Sequence, residues 1–235
     1  MKQVLIAIPK RDHTWNEGFV ISLLGTFLFE QEYKDYHFAL ATVTGKPVVE
    51  AREELVNTAL EGGFDYIWFL DDDMVFPVNS FRRLISQDKD FISGIAFMKK
   101  PPFAPTCLKC KTYRKGKKIH EKYSPIIDYP DDTFEVDGIG LFCAVIKVDA
   151  IKKLRTPRFH DPLLDTLSKI GEDVGFCRRM WEAGYKLYCD PNVKTGHLDG
   201  KGHLITELDF RHFVPYKTKG KKIYQRMEVI NDGRI

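Results

Sequence analysis

No run of apolar residues in this 235-residue chain is long enough to cross a bilayer. The longest, Phe19 to Phe29, is interrupted by Ser22, Gly25 and Thr26 and falls well short of the ~20 residues a membrane helix needs. It reads instead as a buried helix, and no transmembrane segment is expected. The opening MKQVLIAIPKRDHTWNE has too short an apolar core for a secretory signal, ended by Pro9, Lys10 and Arg11. Cysteine is scarce and odd in number, five in all without framework spacing. That argues against a disulfide scaffold and for a reducing, cytoplasmic setting. No G-x-G-x-x-G follows Ile8, which disfavours a dinucleotide-dependent dehydrogenase. Charge of one sign is lacking too: the net value is +3, which by itself implies no polyanionic partner.

What is present suits one large globular domain with a sizeable core: 43% hydrophobic and 13% aromatic residues. Gln3 to Ile8 reads as a strand stopped by Pro9, Asn16 to Glu30 as a helix and Phe38 to Val43 as a second strand. Val48 to Glu61 has helical spacing, with Val48, Ala51, Leu55 and Ala59 on one face. FDYIWFL is a buried strand, Pro77 to Ser86 a short helix and Phe91 to Phe97 another strand. Alternating strands and helices predict an α/β fold with a mostly parallel sheet and flanking helices. A Pro- and Lys-rich stretch follows, with two short strands around Gly116. Then FEVDGIGLFCAVIKV returns to strand character. Gly171 to Gly184 reads as a helix facing Val174, Cys177 and Trp181 inward, and KLYCDP and VKTGHLD as terminal strands.

Chemistry concentrates in three places. The apolar strand before Asp71 runs into Asp71, Asp72 and Asp73, at the carboxyl end where open α/β sheets bind ligands. A solvated turn capping the next helix needs only one Asp. Three adjacent carboxylates repel one another and suit a hard divalent cation, Mg²⁺ or Mn²⁺, that keeps positions open for phosphate. Glu172 and Asp173 open a helix, where the dipole alone favours negative charge. A carboxylate there could also serve as a general base if burial raised its pKa. His197, in KTGHLDG, could add a nitrogen ligand.

In this order (strand and DDD, the DGIGLFC strand, GED opening a helix that ends WEAGY, then CDP and GH) the pieces resemble GT-A-fold glycosyltransferases. The resemblance is strongest to small family-2-like bacterial and phage members, and it covers roughly Gln3 to His197. It implies a GT-A, Rossmann-like nucleotide-diphospho-sugar transferase fold over residues 1–200. Residues 1–98 would form the nucleotide-sugar half, 99–200 the acceptor and catalytic half, and 201–235 a basic tail.

By the same resemblance, Asp73 would be the direct metal ligand, His197 would complete the metal site, and Asp71, a further candidate metal ligand, would lie nearer the sugar or ribose, with Asp72 beside it. Asp173 would be the base of an inverting enzyme, with Glu172 next to it. Arg52 would lie near the nucleotide, and Pro9, Arg11 and Asp12 would border its base. Gly138 and Gly140 would stand on the acceptor side. The implied donor is a UDP- or GDP-linked sugar, and the implied cofactor Mn²⁺ or Mg²⁺. The acceptor stays open among a glycan, a lipid-linked sugar, a protein and a modified nucleic acid. Two features depart from the family. The QxxRW signature of processive members is missing, which implies one sugar per encounter, and KRDHTWNEG differs from the usual first loop.

Two other readings use the same residues. FLDDDMV fits the nucleophile motif of haloacid-dehalogenase-type phosphatases, with Asp71 forming a phospho-aspartate. That motif normally ends the first strand of its domain, and here an extended strand–helix pattern precedes it. A non-catalytic metal- or sugar-binding domain would explain the aspartates but not GED. Cys107 and Cys110 have zinc-like spacing without a second pair. The segment Lys109 to Lys122, with seven Lys or Arg against one Glu, reads as a solvated hairpin or as a surface for an anionic acceptor, with Tyr113 and Tyr123 able to stack on a base.

Overall fold

The computed structural model describes residues 1–115, 118–159, 171–218 and 221–226. Its first half alternates strand and helix as the sequence predicts. β1 (Lys2–Lys10), α1 (Glu17–Glu30), β2 (Tyr36–Thr44), α2 (Val48–Glu61) and β3 (Tyr66–Leu70) follow one another. Asn16 caps α1 by accepting from the Gly18 backbone N–H at 3.0 Å. β1 continues through Pro9, because its pairing with β3 has ended at Ala7 and the missing N–H costs no ladder bond on that side.

The chain then passes through β4 (Met74–Val75), α3 (Ser80–Ser86) and β5 (Phe91–Ile95). A hairpin of β6 (Leu108–Lys115) and β7 (Lys118–Pro125) follows, then β8 (Phe134–Val136), β9 (Cys143–Lys147) and α4 (Val148–Ile151). α5 (Glu172–Glu182), β10 (Leu187–Lys194) and β11 (Gly196–Leu198) complete the region of the resemblance. Beyond residue 200 lie β12 (Leu204–Ile205), α6 (Glu207–Arg211) and the hairpin of β13 (Phe213–Thr218) and β14 (Lys221–Arg226). Ile205 and Phe210 are buried in the same core as the sheet.

The central sheet has seven strands in the order β2-β1-β3-β9-β5-β10-β8. β1 is parallel to β2 and β3, and β5 to β10, whereas β9 runs against both β3 and β5 and β8 against β10. The predicted mostly parallel α/β sheet is therefore present with two reversed strands. The reversal of β9 was not readable, because a strand buried on both faces is a continuous apolar run in either direction.

Side chains alternate across the sheet, so consecutive residues of β3 enter different cores. Ile67 and Phe69 pack under α2 and α5, with Leu55, Val56, Phe176 and Met180. Trp68 and Leu70 pack under α1 and α3, with Phe19, Leu23, Phe81 and Leu84.

Three local expectations need correction. Trp181 does not face inward: it is 66% exposed near the end of α5, while Val174 and Cys177 are buried as expected. Val48 is likewise exposed, since it lies at the first position of α2, beyond the sheet surface that Ala51, Leu55 and Ala59 cover. The helix expected from Pro77 begins at Ser80.

Candidate active site

The first loop of the site is made by the end of β3. The Asp71 backbone N–H donates to the Phe142 carbonyl at 3.1 Å, and the Met74 N–H closes the turn onto the Asp71 carbonyl at 3.2 Å. β4 then pairs antiparallel with β11, opposing Met74 and His197, while the Leu198 N–H donates to the Asp73 carbonyl at 2.8 Å. Residues more than a hundred positions apart are thereby held in one register. The N-terminus of α5 brings Glu172 and Asp173, and α2 brings Arg52.

Arg52 joins these elements. It is 3% exposed, and its Nη2 donates to Asp71 Oδ1 at 2.9 Å and lies 3.7 Å from Glu172 Oε1. Burial alone would push its pKa down, but the charges of Asp71, Glu172 and Asp173 outweigh this and hold it above the usual value. Its Nε and Nη1 are buried and make no hydrogen bond among the described residues. Burial pushes the Asp71 carboxyl up from its ordinary value, against the opposing charge of Arg52. Asp72 is also raised, by burial and then by the charge of Asp73.

Asp73 behaves differently. Burial would raise its pKa, yet the adjacent His197 ring and Lys99 ammonium outweigh burial and hold it below the usual range. The Lys99 ammonium rests directly on Asp73 Oδ2, and His197 Nε2 stands 3.4 Å from Asp73 Oδ1. The other ring nitrogen of His197, Nδ1, lies 3.2 Å from the Phe97 carbonyl. A carbonyl can only accept, so that bond puts a proton on Nδ1. In a neutral ring Nε2 then presents a lone pair to the carboxylate oxygen. Asp73 Oδ1 is buried without a hydrogen-bond partner among the described residues. Two facing acceptors at this distance need a proton or a cation between them.

Asp173 lies partly buried beside this group, with its Oδ1 accepting from the Val174 N–H at 2.8 Å. Burial, followed by the charge of Glu172, pushes its carboxyl up to about 6, despite Arg52. A Cβ on Gly140 would stand 3.5 Å from Asp173 Oδ2 and 2.6 Å from the Phe142 ring, so the glycine lets the DGIGLFC segment pass close to the carboxylate.

Most of these side chains line a cleft of ≈ 350 Å³, bounded by Pro9, Arg11, Arg52, Asp71, Asp72, Asp73, Glu172 and His197 among others; Asp173, next to Glu172, is not among its lining residues. Asp12 does not line it: its carboxylate turns back to accept from the Thr14 N–H at 2.8 Å, an Asx turn that a sequence pattern does not separate from a ligand contact. Gly138 lies outside it as well, against Leu108 and the Tyr123 ring.

The reading of the sequence missed two cations at this cleft, Lys46 and Lys99, and included Lys10 only as part of the loop from Pro9 to Asp12. Lys10 and Lys46 line it, and Lys99 pairs with Asp73. Lys10 is 4% exposed, with its ammonium 3.4 Å over the Trp15 ring and 3.9 Å from Asp72. Its signal lay in KRDHTW, where a lysine directly follows the apolar strand. Cys107 and Cys110 form no shared site. Cys107 is buried beside the Cys189 thiol, whereas Cys110 is partly exposed beside Tyr123. No group of three or more His, Cys, Asp or Glu enclosing a metal position occurs among the described residues, and no described helix is long and apolar enough to cross a membrane.

No family model matches the sequence, nor does any curated protein. Among solved structures the fold is similar to that of A197 from STIV. The TM-score is 0.54 at 20% identity, covering 88% of this chain and 94% of that one. Weaker likenesses include the inositol-1-phosphate CTP transferase from T. maritima, with TM-score 0.46 at 10% identity over 89% of this chain and 94% of that one. Another is an apo UDP-glucose pyrophosphorylase, with TM-score 0.38 at 8% identity over 80% and 73%. The likeness to A197 concerns the fold alone: an α/β protein built on one large central sheet with helices on both faces.

Proposed function

We propose that this chain is a GT-A-fold glycosyltransferase. It would move one sugar from a UDP- or GDP-linked donor to an acceptor hydroxyl, with inversion, using Mn²⁺ or Mg²⁺. The observation that carries this reading is the meeting of Asp73 Oδ1 and His197 Nε2 at 3.4 Å, next to the Asp71–Arg52–Glu172 chain and the raised carboxyl of Asp173. Oxygen and nitrogen donors with no competing thiolate fit a hard or borderline divalent ion. Asp73 and His197 would hold it, and the donor diphosphate and water would complete its ligands. When bound, such an ion neutralises charge that develops on the leaving diphosphate.

The remaining work falls to the chain's own residues. Lys10, Arg11 and Lys46 line the cleft with positive charge suited to a diphosphate. Arg52 fixes Asp71 toward the donor and keeps it from repelling Glu172. Asp173 takes the proton from the attacking hydroxyl. A carboxyl near 6 is mostly ionised at pH 7 while being a stronger base than an exposed aspartate. The oxygen of that hydroxyl then bonds to the anomeric carbon as the bond to the diphosphate oxygen breaks, so one base is enough.

The test is thermal stability with UDP, GDP, CDP and dTDP, each with Mn²⁺, with Mg²⁺ and with EDTA. A ligand at about a hundred times its Kd adds ~2.7 kcal/mol, several degrees for a domain of this size. A metal-dependent shift with one nucleotide supports the reading and names the donor class. No shift with any nucleotide, in folded protein, would return the aspartates to a phosphatase or a binding module.

A further inference from the structure

A second concave site lies on the far side of Asp173. The β6–β7 hairpin and α5 enclose a groove of ≈ 180 Å³ lined by Cys110, Thr112, Glu121, Tyr123, Asp137, Arg178 and Trp181. Trp181 follows Asp173 by eight residues on the same helix, a rise of about 12 Å. The two sites are therefore neighbours without sharing a residue.

The lining is that of a binding surface rather than a packing gap. Trp181 is 66% exposed, a large apolar face held in water at the groove's rim. Across from it, Asp137 Oδ2 accepts from the Cys110 N–H at 2.7 Å and Asp137 Oδ1 pairs with Lys109 at 3.2 Å. Glu121 stands 3.5 Å from the Arg178 guanidinium, and its Oε2 is buried without a hydrogen bond among the described residues. Arg178 in turn donates to Glu182 at 3.0 Å. Burial pushes both the Tyr123 phenol and the Cys110 thiol above their ordinary pKa values, so both remain protonated.

The acidic groups thus already have cationic partners, and the groove offers no unbalanced charge to an ionic ligand. It offers an aromatic face, planar carboxylate and guanidinium edges, and hydroxyls. The ligand matched by that set is neutral, with an apolar face and a rim of hydroxyls. We infer that the groove formed by Trp181, Tyr123, Glu121, Asp137 and Arg178 binds a neutral sugar unit, which stacks on Trp181 and bonds to the carboxylates through its hydroxyls. This does not depend on catalysis in the cleft. If the cleft is a transferase site, the groove would hold a more distant unit of a glycan acceptor.

The experiment is titration of the full chain with methyl glycosides of glucose, galactose, mannose and N-acetylglucosamine, and with their β-linked disaccharides. Intrinsic tryptophan fluorescence provides the signal, with uracil as a sugar-free control. Trp68 is fully buried, so a surface response comes from Trp15 or Trp181, and Trp181→Ala separates them. The expected result is saturable binding of at least one glycoside. Calorimetry should show it weakened roughly tenfold in Trp181→Ala, the size of an aromatic stacking contact, and largely kept in Trp181→Phe. Asp73→Asn, in the other cleft, should leave it unchanged. The inference is overturned by no binding of any glycoside, by binding that survives Trp181→Ala at full strength, by loss in Asp73→Asn, or by binding of uracil alone. Because Asp73→Asn should abolish the nucleotide response and spare the sugar response, either proposal can fail without the other.

Discussion

Arg52 Nη2 lies 2.9 Å from Asp71 Oδ1, and this contact ties the second helix to the end of the third strand at the base of the cleft. The pair also reaches Glu172 on α5, so one buried guanidinium compensates carboxylates from two otherwise separate elements.

Removing it should therefore cost stability as well as binding. Breaking a buried pair from one side typically costs ~3–5 kcal/mol, and Arg52→Gln should lower Tm by roughly 10 °C. The carboxylates left behind can take up protons at low pH. The loss measured by calorimetry should accordingly be larger at pH 8 than at pH 5. Equal losses at both would show that the guanidinium matters for packing and not for charge.

Asp173 gives the opposite sign. Its carboxyl near 6 in the folded chain lies above the reference 3.8. Between those values the folded protein holds a proton that the unfolded chain has released, and its contribution to stability falls as pH rises through that window. Asp173→Asn should then raise Tm at pH 7.5 by several degrees, reflecting at most ~3 kcal/mol, with little change at pH 3.5. The same variant should bind nucleotide within about twofold of wild type and lose transfer by ~10²-fold or more. Wild-type transfer should fall about tenfold per unit as pH drops below 6. Normal transfer by Asp173→Asn would end its assignment as the base.

His197 and Lys99 should act oppositely on metal affinity. His197→Ala removes a donor and should weaken Mn²⁺ binding by roughly tenfold or more. Lys99→Ala removes the ammonium that occupies Asp73 and should tighten binding several-fold. Titration calorimetry with Mn²⁺, followed by chelation with EDTA, measures both. If Lys99→Ala weakens the ion instead, the lysine supports the site and does not compete for it.

The sheet itself can be tested at Gly94 in β5. A Cβ there would lie 2.6 Å from the Val193 carbonyl oxygen and 2.8 Å from Val193 Cγ1, where β10 bulges between Asp190 and Lys194. The nearest of these atoms is backbone and leaves little room to adjust, so Gly94→Ala should cost ~1–3 kcal/mol or more. Gly200→Ala, with nothing within 4 Å of the added carbon, should be nearly neutral by chemical denaturation.

Much of this was legible from residue order. Strand–helix alternation up to Leu70 follows from periodicity and from breakers such as the Gly62–Gly63 pair, all local properties. The placement of DDD at a strand end follows from the same local rules. The sequence also carried Asp71, Asp73, Glu172, Asp173 and His197 as residues whose chemistry could converge. Convergence itself depended on contacts across long separations: Met74 opposite His197, the Asp71 N–H on Phe142, and Arg52 between two carboxylates. The reversal of β9, the outward turn of Trp181 and the closing of Asp12 onto Thr14 were decided at that level too. Identical side-chain patterns are compatible with either outcome in each case, and burial and strand pairing select between them. Lys99 shows the reason most plainly: alone it is one more surface lysine, and its meaning comes from Asp73, twenty-six residues earlier in the chain and in direct contact in the fold.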